Sequence, residues 1–146
     1  MVKITIAVVA GVVALVVAVF ALRAWPLINV VETGRTPEYP DITPRAYRMS
    51  PDRVFDAALH AVHRLPRWSL MSFRPETGEI RTEARTLVFR FVDDVEIRIS
   101  ALGESSVVEA KSASRVGRRD FGQNARNIRA FFVELDRQLS STSSHD

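Results

Sequence analysis

The feature that most constrains this chain is an uncharged run of nineteen residues, ITIAVVAGVVALVVAVFAL, from Ile4 to Leu22. As a helix rising about 1.5 Å per residue it would reach roughly 28 Å, close to the apolar thickness of a bilayer. Lys3 and Arg23 bound the run, Trp25 stands where an interfacial anchor belongs, and Pro26 stops a helix. The expectation is a single-pass anchor through residues 4–22. A cleaved signal peptide, with Val19 and Ala21 as its small-residue site, is the alternative, but such peptides carry only about 7–15 apolar residues. Positive charges nearly balance across the span (Lys3 and the amino terminus against Arg23 and Arg35), so orientation rests on the short N-terminal tail. That tail places the N-terminus inside, the chain in the inner membrane and the C-terminal domain in a bacterial periplasm.

The remaining length is enough for one modest domain and too little for two. The expected organisation is an anchor at 1–25, an extended linker at 26–49, a small α+β domain at 50–140 and a disordered tail at 141–146. Pro37, Pro40, Pro44 and Gly34, with no apolar period, give the linker its reading. Net charge is +3 overall, but from Ser50 onward 15 Lys/Arg face 14 Asp/Glu, so no basic stripe recommends nucleic acid as a partner. The absence of cysteine removes disulfides, thiolate catalysis and Cys-based metal sites.

Within the domain, Ser50 is a good N-cap, Pro51 suits a first turn, and Phe55, Ala58, Leu59 and Val62 repeat with a helical period up to Pro66. The period then changes to two. Trp68–Arg74 reads as a strand, Pro75–Gly78 as a turn, and Ile80, Thr82, Ala84 and Thr86 alternate with Glu79, Arg81, Glu83 and Arg85. Phe89 and Phe91 continue a short aromatic strand to Asp93 and Asp94, where a turn or bulge is expected. Val95, Ile97, Ile99 and Ala101 alternate again, Gly103–Ser106 turns the chain, and Val107–Ser114 is the last strand. A final helix from about Phe121 to Leu139 carries an apolar stripe of Ile128, Phe131, Phe132, Leu135 and Leu139. The fold expected is therefore α+β: a transmembrane helix, then two layers, with a four- or five-stranded antiparallel sheet covered on one face by two helices. The other face carries alternating Glu and Arg and is most simply a wet surface.

The segment Ser112-Ala-Ser114-Arg115-Val-Gly117-Arg118-Arg119-Asp120-Phe-Gly122-Gln-Asn124 resembles the signature of a bacterial and plastid family catalogued as domain of unknown function 1499. Phe89–Arg98 resembles its second recurring block and Tyr39-Pro40-Asp41-Ile42 a third, so the similarity spans roughly Tyr39 to Leu139. The family often places an Arg three positions after the Asn; here that position is Asn127, flanked by Arg126 and Arg129. The resemblance implies a secreted, lipid-modified or membrane-tethered protein and no established reaction.

Read as chemistry, the signature is a strand passing through a tight loop into a helix N-terminus. Gly117 and Gly122 permit backbone conformations that side chains oppose, Asp120 can cap the helix, and Asn124 can bond loop backbone. Arg115, Arg118, Arg119, Gly117 and Asn124 form a candidate anion or partner site, with Ser112, Ser114, Asp120 and Gly122 as its structural frame. The plainer reading pairs Arg115 with Asp120 and leaves the other arginines in solvent. His60 and His63, with Asp56 a turn earlier, lack a third metal donor, and Asp93 and Asp94 point to opposite faces of a strand. No nucleophile has a supported base, so no catalytic residue, metal or cofactor is expected. The function expected first is a membrane-tethered, non-enzymatic binding or interaction module of the cell envelope, meeting an envelope protein or an anionic ligand. The alternative is a small-ligand or lipid-handling domain using a cleft between sheet and helices.

Overall fold

The computed structural model describes residues 2–24, 28–87, 90–117 and 120–142, with side chains within the first helix described for 9–20. Trp25, Pro26, Phe89, Arg118, Arg119 and residues 143–146 lie outside the described residues. Elements follow in the order α1 (Val2–Ala24), β1 (Val30–Glu32), β2 (Arg45–Tyr47), α2 (Pro51–Arg64), β3 (Trp68–Arg74), β4 (Glu79–Arg85), β5 (Val92–Leu102), β6 (Ser105–Ser114) and α3 (Gln123–Thr142).

Three expectations are corrected. Among the described residues no helix is long and apolar enough to cross a membrane. The described side chains of α1, residues 9–20, are apolar and exposed. The transmembrane helix at Ile4 to Leu22 is therefore not supported. The same finding overturns the single-pass placement in the inner membrane with a periplasmic domain. The sheet also has six strands, not four or five. Its extra strands come from the segment expected to be a linker: β1 and β2 both pair antiparallel with β6, at Val31↔Ser112 and Ala46↔Val107.

From β6 the sheet continues β5, β4, β3, all antiparallel. Alternation sorts the side chains. Ile80, Thr82 and Ala84 of β4, Val95, Ile97 and Ile99 of β5, and Val108, Ala110 and Ser112 of β6 are buried. The intervening Glu79, Arg81, Glu96, Arg98, Glu109 and Lys111 form the opposite face. Register sets opposite charges across from one another there, as at Glu79↔Arg98 and Arg81↔Glu96, and Arg98 reaches Glu79 at 2.9 Å. Such exposed pairs contribute little to stability and keep the face wet.

Helices α2 and α3 pack on the buried face. Ser50 caps α2, its Oγ accepting the Arg53 N–H at 3.5 Å, and the helix buries Val54, Phe55, Ala58, Ala61 and Val62. Leu65, held extended by the following Pro66, ends it. With Ile128, Phe131, Phe132, Leu135 and Leu139 of α3 these residues form one core, against which Leu59, Trp68 and Leu70 pack half-buried. Gly78 closes the β3–β4 turn at φ +67, where an added Cβ would lie 2.0 Å from the Ile99 carbonyl oxygen. Only glycine fits such a position.

The connection between β1 and β2 is fastened to α3. Ile42 is buried, and Arg129 makes two bonds to Asp41, at 2.8 and 2.9 Å, while lying over the Tyr39 ring. The Tyr47 hydroxyl donates to Asp136 at 2.8 Å, and Arg45 pairs with the same carboxylate. The Tyr39–Ile42 block is thus a brace between the sheet edge and the last helix.

Candidate functional site

Toward its N-terminal end the inner stripe of α3 turns polar, with Asn124 and Asn127 occupying the positions before Ile128 and Phe131. The sheet beneath turns polar at the same level, where Asp93 lies opposite Ser114 and Val95 opposite Ser112. Between them a closed network forms. The Ser112 hydroxyl donates to Asn124 Oδ1 at 2.6 Å, and Asn124 Nδ2 donates to the Asn29 carbonyl at 3.0 Å and to Ser114 Oγ at 2.9 Å. Asn127 Nδ2 donates to Asp93 at 2.9 Å and to Ser112 Oγ at 3.2 Å, and Gln123 donates to Asn127 Oδ1 at 2.8 Å. No buried side-chain donor or acceptor among the described residues is left without a partner, as a dry site requires.

Asp120 holds the start of α3: its carboxylate accepts the N–H groups of Gly122 and Asn124, both at 2.8 Å. Phe121 at φ +50 and Gly122 at φ +76 keep the backbone left-handed here, so the helix begins at Gln123 rather than Phe121. A bulky residue at positive φ is strained, and such strain gathers where a side chain must be aimed.

The signature residues divide accordingly. Ser112, Ser114, Asp120, Gly122 and Asn124 come together as this buried frame. Asn124 is 0% exposed, so it is a structural member rather than part of an accessible anion site. Arg115 is corrected: it does not pair with Asp120 but with Asp94, at 2.6 and 2.9 Å, and with Glu83 at 2.5 Å, on the charged face of the sheet. Its partners are strand residues brought close by the β4–β5–β6 register, which also places Asp93 and Asp94 within β5 and not in a turn. Gly117, at φ +90, accepts from the Asn29 amide. Arg118 and Arg119 lie outside the described residues. His60 and His63 are exposed on α2.

What sequence reasoning missed is a cavity of about 380 Å³ beside this frame. Two segments wall it: Thr86, Leu87 and Phe91 before β5, and Val116, Gly117 and Phe121 before α3. Asp93, Ser114, Asp120, Gln123 and Arg126 complete the lining. The apolar wall residues are open to solvent, Leu87 by 73% and Val116 by 63%, whereas Asp93 is 2% and Asp120 8% exposed. The mouth is therefore apolar and the inner end acidic. Arg126 has its guanidinium bonded to the Phe121 carbonyl and the Gln123 side chain, both at 3.0 Å. A second concavity, about 250 Å³, lies on the charged sheet face among Glu32, Arg81, Glu96 and Arg98. Most of its lining is charged, and ion pairs such as Arg81 with Glu96 at 3.7 Å lie within it.

Burial pushes the Asp93 carboxyl above its ordinary value of 3.8; bonds from Ser114 and Asn127 oppose the shift, and the charges of Asp120 and Asp94 add to it. Below pH 3.8 the group is protonated whether the chain is folded or not, so it contributes no pH dependence. Above that, folding retains a proton that the unfolded chain releases, and stability falls with rising pH until the folded group ionises. Asp93→Asn removes this slope. The unfolding free energy of the variant minus that of wild type should rise from acid pH through that window and then level off, as measured by denaturant titration at a series of pH values. A flat difference would show that the carboxyl carries no burial penalty.

The molecule so described is an α+β protein with a helix-covered antiparallel sheet and a half-open cavity at the start of its last helix. Residues 22–135 match the family model described as a protein of unknown function (DUF1499), and the chain belongs to that family. Among solved structures it is similar to TTHA0849 from Thermus thermophilus, at 14% identity over 78% of this chain and 99% of that one, with a TM-score of 0.44. It is also similar to CV1439 from Chromobacterium violaceum, at 12% identity over 78% and 96%, with a TM-score of 0.45. CalU16 from Micromonospora echinospora is 16% identical over 70% and 79%, with a TM-score of 0.32. None of these likenesses bears on what the chain binds. Comparison with curated proteins gives no match.

Proposed function

We propose that this chain is a binding domain for a small amphipathic molecule, held in the cavity walled by Thr86, Leu87 and Phe91 on one side and Val116, Gly117 and Phe121 on the other. One observation carries the reading: an apolar-mouthed cavity of about 380 Å³ ends on two buried carboxylates within a rigid polar frame. Ligand sites are commonly concavities of about 300–1,000 Å³, mostly apolar, with a few placed polar groups. The membrane-tethered interaction-module reading has less support, because it leaned on an apolar anchor, and among the described residues no helix is long and apolar enough to cross a membrane.

The uncharged fluorophore N-phenyl-1-naphthylamine tests this directly. Its emission should rise and shift to the blue on titration with the full chain, saturating at one site. Val116→Asp places a charge in the cavity wall and should weaken binding about tenfold or more, since an unpaired carboxylate is costly to desolvate. Val116 is largely exposed, so the melting temperature should scarcely move. Equal binding by wild type and Val116→Asp would remove the cavity from consideration.

A further inference from the structure

Resting on that reading, we propose that the ligand is an apolar molecule bearing a protonated amine, whose cationic head sits against Asp93 and Asp120. The inner end of the cavity selects for charge in one direction. Both carboxylates lie there, nearly excluded from water. Asp93 is bonded by neutral donors, and Asp120 accepts two backbone N–H groups. Among the described residues, no Lys, Arg or His forms an ion pair with either carboxylate. Arg126 is the one cation among the described lining residues; it is exposed, and its guanidinium bonds the Phe121 carbonyl and the Gln123 amide oxygen.

The electrostatics follow from this arrangement. A carboxylate head entering the cavity would be a third negative charge in a poorly solvated space, and like charges so placed strongly oppose ionisation. An alcohol can donate one hydrogen bond but brings no charge. An ammonium donates up to three, and its loss of hydration is offset by pairing with carboxylates already desolvated by the fold. The apolar tail meanwhile covers Leu87, Phe91, Val116 and Phe121, four exposed apolar side chains at the mouth. Their burial supplies a driving force common to all head groups.

The experiment holds the tail constant and varies the head. Octylamine, octanol and octanoate are each titrated into the full chain at neutral pH and low salt, by displacement of N-phenyl-1-naphthylamine. The expected order of affinity is octylamine, octanol, octanoate, with about tenfold or more between the ends, a difference of about 1.4 kcal/mol per decade. In Asp93→Asn, which keeps the side chain's shape, the gap between octylamine and octanol should shrink while octanol binding is retained. The wild-type order stands as a test whether or not the variant folds. Octanoate binding as well as octylamine would overturn the cationic head while leaving a cavity for apolar ligands. An octylamine preference undiminished in a folded Asp93→Asn would place recognition elsewhere and overturn the proposal as well. Failure of all three, together with failure of the fluorophore alone, would overturn the ligand-binding reading itself.

Discussion

Phe131→Ala should destabilise the protein by about 3–5 kcal/mol, the loss expected when a fully buried aromatic ring is deleted and its cavity only partly collapses. Phe131 is 0% exposed, is the largest fully buried side chain among the described residues, and packs tilted against Phe132 with ring centroids 5.4 Å apart. It lies in the cluster that joins Phe55 of α2, Ile97 and Ile99 of β5 and Leu135 of α3, so its loss loosens both helices from the sheet at once. Urea unfolding should show a lower midpoint with an unchanged slope. Val133→Ala, two residues on and 57% exposed, should change stability by no more than about 0.5 kcal/mol. Similar losses in the two variants would mean that α3 does not present the stripe described.

Asn124→Ala should cost about 2–5 kcal/mol, and for a different reason. The side chain removes little apolar surface, but it holds three partners: the Ser112 hydroxyl, Ser114 Oγ and the Asn29 carbonyl. Ser112 would still accept from Asn127, yet its own O–H would have no acceptor, and the Asn29 carbonyl would lose its side-chain donor. The Ser112 O–H stranded in this way costs about 1–3 kcal/mol, and the other two lost bonds add about 0.5–1.5 kcal/mol each, since the Asn29 carbonyl keeps the Ser114 N–H. Because Asn29 precedes β1, the same substitution should loosen the strand edge at Val30–Glu32. Hydrogen exchange at Ser114, whose N–H donates to the Asn29 carbonyl at 2.8 Å, should accelerate ahead of global unfolding. Unchanged protection there would mean that Asn124 does not tie β1 to the helix.

These two residues mark what was legible in the sequence and what was not. The stripe containing Phe131 is periodic over several turns, and periodicity reports local geometry directly. For the same reason β3 at Trp68–Arg74 and the cap at Ser50 could be read from neighbouring residues. The strands β1 and β2 could not. Each is three residues long, too short for alternation, and each exists only because β6 offers an edge. Arg115 illustrates the same limit: Asp120 is near in sequence, but the register of β5 with β6 brings Asp94 nearer in space. Asp120 was legible as a cap because capping is local; it does accept two N–H groups at the start of α3. The apolar run at the N-terminus misled in another way, since composition alone stood in for a spanning helix that the described residues do not support. The cavity was beyond reach because its walls, Thr86, Leu87 and Phe91 on one side and Val116, Gly117 and Phe121 on the other, are distant in sequence and meet only in the folded sheet.

The central claim, that this cavity is the working surface of the domain, is tested most directly by mapping a ligand onto the amide spectrum of the full chain. In a ¹H–¹⁵N titration with octylamine, the amides of Leu87, Phe91, Val116, Gly117 and Phe121 should shift together and saturate at one equivalent. Those of Glu79, Glu96 and Arg98, on the charged face, should stay in place. Shifts confined to the charged face, or absent from both segments flanking the cavity, would contradict the account.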